Sequence, residues 1–484
     1  MIDEIERVHA VPAEALPNGW RTATLPDLIG EAGIFIDGDW IESKDQDPSG
    51  DVRLIQLADI GDGFYRDRSD RFLTSEKAKL LRCTVLQPGD MLVARMPDPL
   101  GRACIFPGDR KAAVTVVDVA VVRTNNPQVN PRWLMYCVNA PQFRSAVVSL
   151  QSGSTRLRIS RKNLSKVVFP FPPRAVQDEI VAELEKQFSR LDEAVANLQR
   201  VKANLKRYKA SVLKDAVEGR LVPTEEELAR REGRSFETGE QLLPRIVETR
   251  KNEWAGRGKY DEPAAVETGG LTNLPNGWVW ATAEQLSTFI TKGTTPAAEK
   301  LLDGTGDVQF LKVYNLTFDG TLNHAYKPAF VSRATHEGEL LRSQVLAGDV
   351  LINIVGPPLG QVSVVPPTIA EANMNQAVAR FRPIKPLSTK FVAHALMTES
   401  IMAWAIRKAK TTAGQTNLTL DLCRRLPIPL PPLAEQERIV AEVDRRLSLI
   451  LGVQAEVDAN LKRAQALRQA MLAKAFSASL KGIE

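Results

Sequence analysis

The feature that most constrains this chain is an apolar row that recurs every seven residues through 184–212. Further apolar residues lie four positions after two members of the row, and this spacing defines the a/d seam of a helix that packs against a partner helix. A proline pair at 172–173 and acidic residues just after it are typical of a helix start. The sequence therefore predicts one long helix over 171–217. Its seam consists of Leu184, Phe188, Leu191, Val195, Leu198 and Leu205.

The partner helix lies in the same chain. The run PPRAVQDEIVAE at 172–183 returns as PPLAEQERIVAE at 431–442, and ANLKR at 203–207 returns unchanged at 459–463. Two matching seams in one chain predict an intramolecular antiparallel pair of helices, over 174–214 and 433–474. The seam of the second helix consists of Val443, Leu447, Ile450, Val457 and Leu461.

The repeat extends beyond the helices. LPNGW at 16–20 returns at 274–278, and PGDMLV at 88–93 corresponds to AGDVLI at 347–352, in the same order along the chain. A module of about 260 residues is thus duplicated, which is too long for a solenoid unit. Each module combines short β-branched runs with a helical patch, near 133–148 and 389–408.

These patterns predict an α+β fold. It has two tandem α/β domains with mixed or mostly antiparallel sheets, a pair of long antiparallel coiled-coil helices between them, and a pseudo-two-fold internal repeat. The connector is charged, is interrupted by Gly and Pro, and contains one possible short helix over 240–254. The predicted segments are an N-terminal extension (1–15), a first globular domain (16–170), a first long helix (171–217), a connector (218–273), a second globular domain (274–428), a second long helix (429–476) and a tail (477–484).

Composition restricts the partners and the cellular compartment that we expect for this chain. The chain has 484 residues and a net charge of only +5, so any nucleic-acid surface would be a local patch. Its four cysteines are scattered without a C-x-x-C pair, which is typical of free thiols in a reducing compartment. The acidic start is unlike a secretory signal, and no apolar run is as long as a membrane span. We therefore expect a cytoplasmic protein with no membrane partner.

Motifs for catalysis are missing: the sequence has no phosphate-binding loop, no dinucleotide fingerprint and no nucleophile elbow. Asp98, Asp109 and Lys111 fit the loose acidic–acidic–lysine spacing of metal-dependent nucleases, but a second unrelated set fits as well, and module two has no counterpart. We interpret the pattern as chance and expect no catalytic, cofactor-binding or metal-binding residues. A metal-dependent nuclease acting alone remains one alternative, and a coiled-coil scaffold without a DNA role is another.

Basic, amide and hydroxyl side chains cluster around Gly153, and again around Gly414 with different side chains. Lys and Arg neutralise phosphates, and Arg, Asn and Gln read base edges, so this divergence favours two DNA-reading loops. In an extended loop the residues at 156 and 158 point the same way, which makes them candidate base readers, whereas those at 144 and 162 flank the loop as phosphate anchors. The candidates are Gln56, Arg95, Arg144, Ser154, Thr155, Arg156, Arg158 and Lys162 in module one, and Lys312, Asn315, Lys408, Lys410, Thr411, Gln415 and Asn417 in module two.

Taken together, the chain resembles the specificity subunit of a type I restriction-modification system. The resemblance rests on the two Leu-Pro-x-Gly-Trp starts, the two proline-initiated helices, the run GSTRLRIS at 153–160 and the run GTTP at 293–296. It adds Thr294 and Thr295 to the candidate DNA contacts. It departs from the family at Ala413-Gly414-Gln415, where Gly-Ser/Thr-Thr is usual.

The resemblance implies a non-catalytic DNA reader and not an enzyme. Each target-recognition domain would read one half of a bipartite, asymmetric duplex target, and the helix pair would set the spacing between the halves. Two methyltransferase subunits would dock on the helices, and restriction subunits would join them. S-adenosylmethionine, ATP and magnesium would be bound by those partner subunits, with no cofactor in this chain.

Overall fold

The computed structural model describes residues 8–9, 16, 19–153, 157–254, 259–356, 358–412 and 415–477. The chain forms two compact units: unit 1 consists of Met1–Gln199 and Asp458–Glu484, and unit 2 consists of Arg200–Val457. Both divisions fall inside long helices, so each long helix contributes residues to both units. The boundaries of the seven predicted segments stay predictions.

The strands of unit 1 form mixed sheets. Among its described residues the sheet orders are β1-β10-β2, β3-β9-β6-β7 and β5-β4-β8. The pairs β1–β10 and β4–β8 are parallel, whereas the other neighbours are antiparallel. The strands are β1 (Val8–His9), β2 (Arg21–Ala23), β3 (Ile34–Asp37), β4 (Val52–Ile55), β5 (Phe72–Leu73), β6 (Met91–Ala94), β7 (Ala103–Ile105), β8 (Ala112–Thr115), β9 (Val119–Arg123) and β10 (Val167–Phe171).

Helices cover these sheets. The predicted helical patch near 133–148 is confirmed as two helices that meet at Ala140, because Pro141 starts the second. The side chain of Asn130 caps the first of them, and Trp133 is buried against Phe169 and Phe171. The helices that begin in unit 1 are α1 (Leu25–Leu28), α2 (Ser75–Leu80), α3 (Pro131–Asn139), α4 (Pro141–Ser149), α5 (Arg161–Leu164) and α6 (Arg174–Val217).

Unit 2 repeats this topology. The order β12-β20-β17-β18 matches β3-β9-β6-β7, and the parallel pair β14–β19 matches β4–β8, so the predicted repeat is confirmed. Among described residues, the other orders are β11-β23, β13-β15-β14-β19-β16 and β21-β22. The strands are β11 (Val279–Thr282), β12 (Ser287–Lys292), β13 (Leu302–Asp303), β14 (Val308–Leu311), β15 (Ala329–Val331), β16 (Gln344–Leu346), β17 (Val350–Asn353), β18 (Val362–Val364), β19 (Glu371–Met374), β20 (Val378–Pro383), β21 (Lys410–Thr412), β22 (Gln415–Asn417) and β23 (Pro427–Leu430).

Among its described residues the connector contains two helices where one was predicted. The first begins with a capping box between Thr224 and Glu227 and ends at Gly233, whose φ of 64° suits a left-handed C-cap. The second covers most of the predicted 240–254 helix. The helices that begin in unit 2 are α7 (Glu225–Glu232), α8 (Gly239–Asn252), α9 (Arg333–Glu337), α10 (Thr389–Leu396), α11 (Glu399–Lys408), α12 (Leu420–Arg424) and α13 (Leu433–Ala475).

The start of α6 contacts the end of α13 in unit 1, and the end of α6 contacts the start of α13 in unit 2. In unit 1, Phe188 near the start of α6 lies under Arg468 near the end of α13, with the guanidinium carbon 4.1 Å from the ring centroid. Arg468 Nη1 also lies 2.8 Å from Asp192 Oδ1. In unit 2, Val212 near the end of α6 packs in one cluster with Val443 near the start of α13. The predicted antiparallel pair is therefore confirmed, with helices of 44 and 43 residues.

Burial follows the predicted seams. Phe188 and Val443 are 4% and 0% exposed, whereas Leu449 and Leu467, which lie off the seam, are 60% and 47% exposed. Burial of a large apolar side chain contributes roughly 1.5–3 kcal/mol, so the seam is the stabilising face of each helix. No helix among the described residues is long and apolar enough to cross a membrane. The fully buried seam residues are Leu184, Phe188, Val443, Leu447, Ile450 and Val457, and the partly buried ones are Leu191, Val195, Leu198, Leu205 and Leu461.

Candidate nucleic-acid interface

Segment 374–378 of unit 2 joins two of the predicted DNA-contacting loops at one end of the sheets. The carbonyl of Met374 accepts a hydrogen bond from the Thr294 backbone N–H at 3.1 Å. The Asn375 N–H donates to the carbonyl of Leu311 at 3.0 Å, immediately before Lys312. The candidates at 294 and 312, distant in sequence, are thus attached to the same short segment.

The same segment also reaches the predicted loop after α11. The Ile354 N–H donates to the carbonyl of Ala377 at 2.9 Å, and the Ile354 carbonyl accepts from the Leu418 N–H at 2.9 Å, just past β22. Thr294 is partly buried, whereas Thr295 is exposed, and its hydroxyl contacts the side chain of Gln376. Three candidate loops of unit 2 therefore meet at one sheet end.

Unit 1 uses the same backbone arrangement around segment 115–119. The Asp39 N–H donates to the carbonyl of Thr115 at 2.8 Å, as Thr294 does in unit 2. The Val116 N–H donates to the carbonyl of Ile55 at 3.3 Å, immediately before the candidate at 56. Asp39 of unit 1 is therefore the structural counterpart of Thr294.

Arg95 is the counterpart of Ile354, because its N–H donates to Asp118 O at 2.9 Å and its carbonyl accepts from the Ile159 N–H at 3.0 Å. The surroundings of its side chain do not fit the predicted DNA contact. Arg95 is only 4% exposed, its Nε donates to the Ile159 carbonyl at 3.1 Å, and its Nη1 pairs with Asp37. A guanidinium committed to these partners inside the unit holds the base of the loop, and the accessible interface does not include it.

The glycine loop of unit 1 begins as a hairpin. Ser152 and Arg158 exchange backbone hydrogen bonds of 2.8 and 2.9 Å, and Gly153 has a φ of 100°, which favours glycine. Arg158 is exposed, as a DNA-contacting residue requires. The candidates Ser154, Thr155 and Arg156 lie outside the described residues.

Unit 2 has a hairpin at the equivalent place. In β21–β22, Lys410 pairs with Asn417 and Thr411 pairs with Thr416. The side chains of 410–415 lie outside the part of the chain that the structure describes, and the side chain of Asn417 is partly buried. Just before the hairpin, Lys408 Nζ lies 2.5 Å from Glu267 Oε2 and is 45% exposed.

The two predicted phosphate anchors beside the loop of unit 1 differ. Arg144 does not fit the predicted role of a phosphate anchor, because its side chain is only 13% exposed. Its Nη2 lies 2.5 Å from Asp62 Oδ1 and donates to Asn139 Oδ1 at 2.7 Å. These partners occupy the guanidinium inside the unit. Lys162, at the start of α5, is exposed and has no carboxylate partner among the described residues.

One-turn 3-10 helices, Leu57–Asp59 and Val313–Asn315, follow β4 and β14, and the residues of interest are the first cap and the last residue of each. The backbone N–H of Gln56 donates to Asp59 Oδ2 at 2.8 Å, and that of Lys312 donates to Asn315 Oδ1 at 2.9 Å. Gln56 and Lys312 are partly exposed and stay candidates. Asn315 does not fit the predicted DNA contact, because it is 2% exposed and its side-chain amide donates to two carbonyl groups of loop 322–327.

The geometry gives no support to a metal-dependent nuclease. Asp109 Oδ2 lies 2.7 Å from Arg53 Nη1, and Lys111 Nζ donates to the carbonyl of Gly50 at 2.9 Å, so these side chains have structural partners. Within the described residues, no three or more His, Cys, Asp and Glu side chains are grouped to hold a metal ion.

Comparison with known proteins finds relatives of one kind. A model of the type I restriction modification DNA specificity domain matches residues 275–452. The EcoBI specificity subunit of Escherichia coli is 27% identical over 365 residues, which cover 75% of this chain and 68% of that protein. The chain is similar to type I restriction-modification specificity subunits. The relatives are named as specificity subunits of type I restriction enzymes.

Two further relatives cover more of this chain. The EcoEI specificity subunit of Escherichia coli is 21% identical over 487 residues, covering 89% of this chain and 78% of that protein. A chain from a structural study of complex assembly and conformational transition in the type I R-M system has a TM-score of 0.61 at 18% identity. It covers 96% of this chain and 99% of its own length, which supports the fold.

Sequence reasoning missed the aromatic residues of this interface. Trp40, one position after the counterpart of Thr294, is 71% exposed. Phe64 is 51% exposed, Tyr314 is 39% exposed and Tyr326 is 48% exposed. Aromatic side chains in polar loops next to candidate DNA contacts were the available signal, because aromatic residues are enriched where proteins contact partners.

Proposed function

We propose that this specificity subunit binds duplex DNA and that each unit reads one half of a bipartite, asymmetric target. The observation that carries the proposal is the repeated loop arrangement, which presents unlike side chains at equivalent places. Asp39 corresponds to Thr294, Gln56 corresponds to Lys312, and each pair occupies the same backbone position. Base edges are read by side chains on a fixed frame, so one frame with two side-chain sets suits two different half-sites.

The helix pair sets the distance between the half-sites in this proposal. A helix of 44 residues at 1.5 Å per residue is about 66 Å long. This length is shorter than about two helical turns of duplex DNA. Two methyltransferase subunits dock on the helix faces that lie off the seam, where Leu449 and Leu467 are exposed. Exposed apolar side chains on such faces are typical of protein contacts.

The catalytic groups belong to the partners. The methyltransferase subunits bind S-adenosylmethionine, and restriction subunits bind ATP and magnesium and cut the DNA, while this chain holds no cofactor. The complex works in the cytoplasm as a host-defence system and has no membrane partner.

The decisive experiment is an exchange of one recognition domain. Residues 16–170 are replaced by the segment of another family member, and methylated sites are mapped in host DNA. We expect one half of the methylated sequence to change while the other half and the spacing persist. Exchange of 274–428 is the matched control and should change only the other half.

Two results would contradict the proposal. A change in both halves, or in neither, after a single exchange would show that the domains do not read separately. If the purified chain had no salt-sensitive affinity for any duplex, the scaffold alternative would be favoured. Cleavage of DNA by the chain alone with magnesium would favour the nuclease.

A further inference from the structure

Four side chains form an exposed aromatic–cation patch in unit 2: Lys312, Tyr314, Tyr326 and Lys327. The rings of Tyr314 and Tyr326 meet edge-on, with centroids 5.8 Å apart and planes at 86°. They are 39% and 48% exposed, although aromatic residues usually bury most of their surface. This surface therefore offers a partner two rings of fixed orientation.

The lysines give the patch its charge. Lys312 Nζ lies 5.9 Å from the centroid of Tyr314, and Lys327 Nζ lies 5.4 Å from that of Tyr326. Among the described residues neither ammonium group has a carboxylate partner, unlike Lys300, which pairs with Glu339. The patch thus combines two available positive charges with two exposed rings, a combination that suits a phosphate-rich partner.

Asn315 fixes the patch from below. Its buried side-chain amide donates to the carbonyls of Asn323 at 3.0 Å and Tyr326 at 2.9 Å, which ties the second loop to the first. Tyr314 Oη then donates to the Lys327 carbonyl at 3.1 Å. Contacts held in this way lose little conformational entropy on binding, so the patch is organised before a partner arrives.

Unit 1 builds a similar feature with opposite hydrogen-bond polarity. Asp59, the counterpart of Asn315, accepts from the backbone N–H groups of Arg68 at 2.6 Å and Ser69 at 2.7 Å. The loop it holds presents Phe64, which is 51% exposed, with the Arg66 guanidinium carbon 5.6 Å from the ring centroid. Unlike sequences in the two units thus place an exposed ring beside a cation in the same loop.

We propose that the aromatic–cation patch of unit 2 contacts the DNA half-site directly, with Lys312 and Lys327 on phosphates and the two tyrosine rings against sugars and base edges. This inference rests on the proposed function. Two observations favour DNA over a protein partner: the available positive charge, and the attachment of Lys312 to the sheet end that also holds Thr294. Asn315 is a positioning residue that acts through Tyr326.

The charge is tested by binding of the full-length chain to a labelled random-sequence duplex about four helical turns long. The double variant Lys312→Ala/Lys327→Ala should lower the slope of log affinity against log salt by about 1.8, since each phosphate contact contributes about 0.9. The matched control, Lys251→Ala/Lys385→Ala, removes the same charge from exposed positions of unit 2 and should leave the slope unchanged.

The rings are tested at one salt concentration. Tyr326→Ala should weaken DNA binding about tenfold and leave the salt slope unchanged, because it removes ring surface and keeps the bond from the Tyr314 hydroxyl to the Lys327 carbonyl. Tyr326→Phe keeps the ring and should bind like the wild type.

Asn315→Asp tests the positioning role with an isosteric change. A carboxylate would face two carbonyl oxygens and repel them, which releases the loop that carries Lys327. The variant should lower the salt slope by about 0.9 because one phosphate contact is lost. A purely structural role for Asn315 would lower thermal stability without changing that slope.

The outcomes separate this inference from the proposed function. If the wild-type chain shows no salt-dependent affinity for the duplex, the proposed function fails first. If the wild type binds and the patch and control lysine variants change its slope equally, the patch is not a DNA contact. Patch variants that bind DNA normally but lose a methyltransferase subunit on co-purification would overturn the inference in favour of a protein interface.

Discussion

Substitution of Phe188 by alanine should open the helix pair in unit 1. Phe188 is 4% exposed, its ring lies edge-on to Tyr136 with centroids 5.6 Å apart, and the Arg468 guanidinium lies over the ring. The substitution removes this buried surface, leaves a cavity on the seam, and deprives Arg468 of its aromatic contact.

The magnitude follows from that burial. Phe-to-Ala changes in well-packed cores cost about 3–5 kcal/mol, and we expect a value in this range for the local free energy of opening. Polar substitution of Leu191 or Leu198, which also lie on the seam, should cost less because those side chains are only partly buried. The matched control is Val201→Ala on the same helix, which is 39% exposed and should change stability by less than about 0.5 kcal/mol.

Hydrogen exchange is the suitable assay, because a chain with two units need not unfold in one step. Amide protons of α6 between residues 184 and 199 should exchange at least about a hundredfold faster in Phe188→Ala than in the wild type. A change below about 1 kcal/mol, or equal acceleration by Val201→Ala, would refute the view that the a/d seam stabilises the pair.

The other predictions concern spacing, readout and pH. Three or four residues inserted into α6 should change the spacing of the methylated target and leave both halves intact. Arg158→Ala should weaken binding to the cognate site by about 1–3 kcal/mol and relax specificity at one base position. Lys162→Ala should weaken binding to all duplexes alike and lower the salt slope by about one. Equal losses of affinity for cognate and scrambled duplexes in Arg158→Ala would contradict the first of these predictions. Contact with His394 and an ion pair to Lys390, which together outweigh partial burial, lower the pKa of Asp444 from 3.8 to about 2. The stability lost in Asp444→Asn should therefore be largest above pH 4 and should vanish as the pH falls towards 2, measured by denaturant titrations at several pH values.

Periodic patterns allowed the sequence to predict the long helices and the repeat. The seam positions at Phe188 and Val443 are set by helix geometry alone, so spacing was sufficient to identify them. The same holds for the helical patches and for the β-branched strands, because their burial depends on local alternation. The additional connector helix α7 also has sequence signals, a capping box at Thr224 and a glycine at 233, which the charged composition obscured.

Side-chain partners were harder to predict. Arg95 and Arg144 look like DNA contacts by residue type, but their carboxylate partners, Asp37 and Asp62, lie 58 and 82 residues away in sequence. A charged side chain is available to a ligand only if the fold supplies no internal partner, and periodicity carries no information about such pairs. The environment of Asn315 was hard to predict for the same reason. The carbonyl groups to which it donates belong to a loop that approaches Asn315 only in the folded chain.

The backbone explains how two units can share a frame and present different surfaces. The loops at 39 and 294 are attached through their own N–H groups to the carbonyls of Thr115 and Met374. A main-chain hydrogen bond is independent of the side chain at the same residue, so the loop keeps its position while its side chains change. In one place a side chain holds the loop, and there the backbone groups differ between the units. Asp59 accepts from two N–H groups, whereas Asn315 donates to two carbonyl groups. Divergence at the reading positions is therefore compatible with the fold only because the attachment is mostly main-chain.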